Sequence, residues 1–397
     1  MVAPAVALST VLAPSAGARA PAAPPASSGS DPVVSLPRIP SALKDGRPCT
    51  GASEVTTDRV PWSRRSLGLD RLWDLSQGQG ITVAVVDTGV DADVRALAGR
   101  VTALGDAARD CVGHGTFAAG LVAAARTEGV GVAGLAPQVR LLAVRGTDER
   151  GTPSAERVAQ GIRSAADQGA GVIYVGSALA DGRQQLTEAV AHAASRDALV
   201  IAPAAPDTPP EQDGARPRPY WPAFAPRVLS VVDHGPGGTR PEDAVPVFSA
   251  DLAAPGGLVV STGPRGGHFI GSGPSFAAAH VAGSAALLRA YHPELSAVEV
   301  SRRLVAYGYP ADIPLLDPYA ALAAIDPAAP AGAPAVPPVK VTAPPSETPR
   351  NRSLTVAAAV SGLLVLVAGA AVVIPRGRAR GWRPGGPDGA GRPQATT

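Results

Sequence analysis

The sequence is short of lysine and asparagine. Lys44 and Lys340 are the only lysines in 397 residues, and Asn351 is the only asparagine. That bias fits a GC-rich genome, and it leaves the whole of the chain before Asn351 without an asparagine carboxamide. Aromatic residues make up 4%, and the charges almost cancel: 35 Lys and Arg against 33 Asp and Glu, a net charge of +2. With no long basic run and no aromatics interleaved among basic residues, a nucleic-acid partner is excluded. No metal-ligand spacing stands out. Asp91 and Asp93 read as turn residues rather than calcium ligands, and no cofactor is called for. Cysteine is limited to Cys49 and Cys111. In an exported protein an even count favours a disulfide, closing a loop of about 60 residues worth roughly 2–4 kcal/mol; the alternative is two buried thiols.

The two ends are rich in Ala and Pro, and the hydrophobic runs lie between them. Residues 1–20 read as a signal peptide: an apolar stretch from Val2 to Leu12, then the small-x-small pattern Ala18-Arg19-Ala20, with no basic residues before it. Residues 21–58 form a Pro/Ala-rich N-terminal extension, of which 21–40 has the composition of unstructured chain. A globular domain is expected over 59–325 and a Pro-rich linker over 326–352. Residues 353–375 read as a transmembrane helix. Leu354 to Ile374 carry no charge, and 21 residues at 1.5 Å each span about 30 Å, the thickness of a bilayer core. Arg376, Arg378, Arg380 and Arg383 follow at once, so the tail over 376–397 is expected in the cytoplasm and the globular part outside it.

Within the globular stretch, short apolar runs alternate with helix-like segments. Residues 81–86, 139–144, 171–175 and 198–202 read as strands, each apolar almost throughout, as strands buried on both faces are. Helices are expected from Ser154 to Gln168 and from Gln184 to Ser195. The alternation predicts an α/β fold with a mostly parallel sheet covered on both sides.

Three segments carry chemistry. Val85-Val86-Asp87-Thr88-Gly89 puts a carboxylate at the C-terminal end of a strand, where open α/β sheets place their sites. Gly113-His114-Gly115-Thr116-Phe117-Ala118-Ala119-Gly120 opens a helix of small residues with an imidazole suited to taking and returning a proton. Gly273-Pro274-Ser275-Phe276-Ala277-Ala278-Ala279-His280 puts a hydroxyl in the first turn of a buried helix. Free N–H groups there favour a developing oxyanion. Alone, each has a bland alternative: a turn Asp, a structural His, an N-cap Ser.

Together, and in the order Asp, His, Ser, the three segments resemble the catalytic blocks of subtilisin-like serine peptidases over about residues 60–325. Pro61-Trp62 and Leu67-Gly68-Leu69-Asp70-Arg71-Leu72-Trp73 lead into the Asp block as in mycosins, the membrane-anchored proteases of actinobacterial type VII secretion systems. The signal peptide, Pro-rich linker, single span and Arg-rich tail are similar too. The resemblance implies a subtilisin-like three-layer fold and Asp87 orienting His114, which is acid and base to the nucleophile Ser275. It also implies a Cys49–Cys111 disulfide, cleavage of exported proteins or peptides through an acyl-enzyme, and secretion membrane components as partners.

The sequence also departs from the family. Its oxyanion hole pairs the Ser backbone N–H with an Asn side chain, and here Pro206 falls on that position, or Asp207 if the frame slips by one. Pro offers no donor, and Asp offers one only when protonated. Gln212 or a backbone N–H is the candidate substitute donor. Pro274 replaces the usual Thr, and Tyr174 and Gly176-Ser177-Ala178 stand where the family shows an Asn and a Ser-Leu-Gly-like run. Two functional classes follow: a weak or selective serine endopeptidase, and a degenerate protease kept as a structural subunit of a secretion complex. A binding module unrelated to secretion is a third.

Overall fold

The computed structural model describes residues 35–208, 216–241, 244–325 and 348–381. Compact packing ends at Ile325, and residues 326–397 form a second unit. The expected signal peptide, most of the linker, Gln212 and most of the tail lie outside the described residues.

In chain order the first unit contains α1 (Trp62–Ser66), α2 (Leu69–Leu75), β1 (Thr82–Asp87), β2 (Val101–Ala103), α3 (His114–Ala123), β3 (Arg140–Arg145), α4 (Ala155–Asp167), β4 (Val172–Val175), α5 (Arg183–Ser195) and β5 (Leu199–Pro203). It continues with β6 (Val228–His234), β7 (Leu252–Pro255), β8 (Val259–Thr262), β9 (His268–Gly271), α6 (Pro274–Tyr291), α7 (Ala297–Ala306) and α8 (Pro318–Ala323). Seven strands form one sheet in the order β2-β3-β1-β4-β5-β6-β7, parallel throughout, and β8 pairs antiparallel with β9. The four strands and two helices expected between residues 81 and 202 all form, with ends within about one or two residues of the sequence reading.

The apolar runs are continuous because each strand feeds two cores. Val83, Val85, Leu141, Ala143, Val172, Tyr174 and Ile201 point into a core shared with α3 and α6. The alternating residues Ala84, Val86, Leu142, Val144, Ile173, Val175 and Val200 point into a second core under α4 and α5. This is the α/β three-layer arrangement the sequence predicts. Ser154 caps α4 by accepting from the Arg157 N–H, which is why that helix starts one residue after the Ser.

The sheet order fixes where chemistry can occur. β1 lies between β3 and β4, so the chain crosses to one side of β1 and then to the other. Helices on opposite faces leave a crevice at the C-terminal ends of the strands around such a reversal. Asp87 is the last residue of β1.

One expectation is corrected. The composition of 21–40 reads as unstructured, yet Ser35–Pro40 is ordered. Ile39 donates to Ile270 O at 3.0 Å, and Ile270 N–H donates to Pro37 O at 2.9 Å, beside the β9 edge. Ile39 is buried in the core shared with α3 and α6. Backbone pairing with an open edge plus one apolar anchor outweighs a composition poor in order-forming residues. A Cys49–Cys111 disulfide, Cα–Cα 4.6 Å, ties the same extension to the loop before α3.

Among its described residues the second unit holds one helix, α9 (Thr348–Ala379). Its Ser353–Ala379 stretch of 27 residues is uncharged as far as Pro375, and that apolar part is exposed along its length. At 1.5 Å per residue the whole stretch is about 40 Å long, enough to cross a bilayer with some tilt.

Candidate active site

Asp87 leaves the end of β1 pointing toward the first turn of α3. His114 is the first residue of α3 and Ser275 the second residue of α6, after Pro274 at the first helical position. Proline suits that position because its missing N–H has no partner to lose. All three side chains are buried. His114 Nδ1 lies 2.9 Å from each carboxylate oxygen of Asp87, and His114 Nε2 lies 3.1 Å from Ser275 Oγ. An ionised carboxylate only accepts, so Nδ1–H donates and Nε2 faces the hydroxyl. The fold thus brings together three residues far apart in sequence.

Close packing without side chains makes the approach possible. A Cβ at Gly115 would fall 2.1 Å from Gly89 O, and one at Gly176 would fall 1.8 Å from Asp87 Oδ2. Phe276 stacks obliquely on the imidazole, ring centroids 4.8 Å apart, and Phe117 packs behind it.

Several functional residues escaped the sequence reading. Asp110 is buried and accepts from the Thr88 and Thr116 hydroxyls and from the Gly113 and Thr116 N–H groups at 2.7–2.8 Å. It locks the turn that delivers His114. Its only sequence signal was its place beside Cys111. Tyr174 hydroxyl donates to Asp87 Oδ2 at 3.2 Å, and Thr88 N–H donates to Asp87 Oδ1 at 2.7 Å. Burial, then the charge of Asp87, push the Tyr174 phenol well above its ordinary range, so it remains a donor.

Of Pro206 and Asp207, it is Asp207 whose side chain reaches Ser275. Strand pairing runs one residue past β5, where Ala204 N–H donates to Val231 O at 2.7 Å. The turn that follows carries residue 207 over the N-terminus of α6. Ser275 N–H donates to Asp207 Oδ1 at 2.9 Å, Ser275 Oγ–H donates to Asp207 Oδ2 at 2.7 Å, and the same Oδ2 lies 3.1 Å from His114 Nε2. A Cβ at residue 273 would sit 2.1 Å from Asp207 Oδ1, so Gly273 is what admits the carboxylate.

The imidazole therefore stands between two carboxylates. Burial acts to lower its pKa. The charge of Asp87 and the hydrogen bond to Asp207 outweigh burial and hold His114 well above its ordinary 6.5. The site opens into a cleft of about 610 Å³, lined by Ile39 and Ser41 of the extension, Asp207, Asp233, Arg240 and Phe276. Among the described residues no group of His, Cys, Asp and Glu is placed to hold a metal ion. Asp91 acts as a turn residue, accepting from Asp93 N–H at 3.1 Å.

Comparison with known proteins gives the same picture. A family model, Subtilase family (Peptidase S8), matches residues 78–307. Thermitase of Thermoactinomyces vulgaris is 35% identical over 222 residues, covering 54% of this chain and 77% of that one. Mycosin-3 of Mycobacterium tuberculosis is 31% identical over 417 residues, covering 86% and 90%. Among solved structures, the serine protease MycP1, described as an essential component of the type VII (ESX-1) secretion system, matches with TM-score 0.63 at 26% identity, over 74% of this chain and 97% of that one. A chain of the periplasmic assembly of the ESX-5 inner membrane complex matches with TM-score 0.62 at 26% identity, over 78% and 98%. With the family model spanning more than half of the chain and Mycosin-3 aligned almost end to end, this protein belongs to the subtilases, on their mycosin branch.

Proposed function

We propose that the protein is a membrane-tethered serine endopeptidase of a type VII secretion system, with Asp87, His114 and Ser275 as its catalytic triad. The observation that carries this reading is His114, hydrogen-bonded to Asp87 through Nδ1 and within 3.1 Å of Ser275 Oγ through Nε2. Ser275 Oγ attacks the scissile carbonyl as His114 takes its proton. His114 then gives that proton to the departing amine, and water releases the acyl group by the reverse sequence. Exported proteins or peptides are the substrates, and activity is low or selective because the family's Asn side-chain donor is missing. Losing one such donor costs about 100- to 1,000-fold.

The domain limits of the sequence reading complete the proposal: peptidase over 59–325, linker over 326–352, span over 353–375. The arginines after the span put the tail in the cytoplasm and the peptidase outside it. Likeness to a chain of the ESX-5 periplasmic assembly supports secretion membrane components as partners.

The test is labelling of the full-length protein in detergent with a fluorophosphonate probe. Ser275→Ala is expected to abolish labelling, and a folded wild type that never labels rejects the reading. One observation favours a second reading. Asp207 occupies both the N–H and the hydroxyl of Ser275, as fits a protease retained as a structural subunit. If Ser275→Ala fails to restore secretion in a deletion strain, the purely structural reading is ruled out.

A further inference from the structure

Asp207 is too well placed to be a passive replacement. Its side chain is 9% exposed, and it touches both reacting atoms of the site. Its Oδ1 sits on the Ser275 N–H, the donor that an oxyanion at this helix end would use. Its Oδ2 takes the Ser275 hydroxyl proton at 2.7 Å, which draws that proton away from His114 Nε2 at 3.1 Å.

We propose that Asp207 is the side-chain oxyanion donor of this enzyme, serving catalysis in its acid form and holding Ser275 and His114 idle in its ionised form. The proposal rests on the reading of Ser275 as nucleophile. It follows from what a carboxyl group can do at this point. Ionised, it offers four lone-pair sites and no donor, fills the N–H that the oxyanion needs, and repels the oxyanion's charge. Protonated, it presents one O–H beside that N–H, and the pair then matches the two-donor arrangement that stabilises a tetrahedral intermediate.

The proton need not come from solvent. His114 Nε2 and Asp207 Oδ2 are 3.1 Å apart. One proton between them gives either imidazolium with carboxylate or neutral imidazole with carboxylic acid. The second arrangement is the working one, and the two differ only in where that proton sits. A substrate carbonyl entering the cleft expels water and takes the Ser275 N–H, removing support from the ion pair and favouring the neutral pair. Ser275 Oγ then bonds to the carbonyl carbon and His114 Nε2 takes the hydroxyl proton. The carbonyl π pair moves to oxygen, which accepts from Asp207 O–H and Ser275 N–H. Collapse restores the carbonyl and passes the imidazolium proton to the leaving amine.

The surroundings on every side bear on that proton. His114 faces Asp207 from α3 and Ser275 from α6. Asp87 and Tyr174 lie beyond the imidazole at the ends of β1 and β4. Asp233, next to last in β6, accepts from Arg240 at 3.1 Å, and Arg38 lines the same cleft from the extension. Asp87 and Asp233 oppose a further negative charge; Arg240, Arg38 and a charged imidazole favour one. His114 is held above its ordinary value by Asp87 and Asp207, and the shared proton is given up as pH rises.

The experiment is the rate of fluorophosphonate labelling of the detergent-solubilised full-length chain from about pH 5 to about pH 9, the range over which imidazole and carboxyl pairs titrate. Wild type is expected to label more slowly as pH rises, because the pair's proton is lost. Asp207→Asn carries a permanent donor and frees His114 from one carboxylate, so its labelling is expected to rise with pH to a plateau. At the alkaline end it should exceed wild type by about 100- to 1,000-fold. Asp207→Ala, with neither donor nor charge, should rise with pH but stay below Asp207→Asn throughout, while thermal melting checks that all three are folded. Parallel profiles for wild type and Asp207→Asn overturn the proposal. Labelling of Asp207→Asn with a wild type silent at every pH also overturns it, leaving Asp207 as a permanent block. Silence of both folded proteins overturns it together with the peptidase reading.

Discussion

Two histidines are buried in one core, and their surroundings drive them in opposite directions. His280 lies in α6, a little over one turn beyond Ser275. Its Nδ1 donates to Pro255 O at 2.8 Å and lies 3.1 Å from Phe276 O. Burial pushes it down to about 4, against the pull of those carbonyls. His114 is as deeply buried, yet the charge of Asp87 and the hydrogen bond to Asp207 carry it above 6.5. Carbonyl partners stabilise an imidazolium too weakly to offset desolvation, and carboxylates reverse it. The two carboxylates thus pull the His114 pKa up where burial alone would push it down, as burial does at His280.

The strongest way to break this comparison is to remove the carboxylate charge on the Nδ1 side. Asp87→Asn keeps the shape and loses the acceptor that fixes the tautomer. A fall of about 10,000-fold in fluorophosphonate labelling is expected, whereas Asp207→Asn raises labelling at alkaline pH. Two carboxylates on one ring then give opposite outcomes. If both substitutions depress labelling alike, the roles assigned to the two sides of the imidazole are wrong.

The second test uses stability. His280 has a folded pKa below its unfolded one, so the folded state binds fewer protons between about 4 and 6.5. Its contribution is complete above 6.5 and is lost as pH falls toward about 4, worth roughly 3 kcal/mol. His114 has the opposite sign: its contribution is full below 6.5 and is lost as pH rises through its elevated value. Denaturant unfolding of wild type against His280→Asn, which keeps a donor for Pro255 O, should show the acid-side slope shrinking in the variant. Equal slopes would mean that His280 is not held neutral by burial.

How much of this was legible in the sequence depended on the range of the interaction. Residues 81–86 and 171–175 declared themselves as strands because both faces are buried, and no long-range knowledge is needed to see an unbroken apolar run. Asp87, His114 and Ser275 stood out through the small residues that frame them. The role of Tyr174, noted only as a departure from the family, and that of Asp110 did not, because their partners lie 87 and 22 residues away and nothing local marks a phenol or a carboxylate for that use. Asp207 was left level with Pro206, since the choice turns on the extra pairing of Ala204 with β6 and on the clearance at Gly273. The ordering of residues 35–40 was hidden for the same reason: composition describes the segment and not the β9 edge it meets.

Tyr174 offers the smallest and finest test. Its hydroxyl donates to Asp87 Oδ2 at 3.2 Å, while Thr88 N–H holds Oδ1 at 2.7 Å. Tyr174→Phe removes one of two fixed donors and leaves the ring's packing in place. A net loss near 1 kcal/mol corresponds to a drop in labelling of less than about tenfold. The sign of the accompanying titration is the sharper readout. A carboxylate that loses a donor keeps more of its charge for the imidazolium, so His114 should move further up and the whole labelling profile of the variant should shift to higher pH. A purely structural tyrosine would lower labelling at every pH equally and leave the profile where it was. The phenol would then have no part in setting how strongly Asp87 pulls on the ring, and the contrast between the two histidines would rest on Asp87 and Asp207 alone.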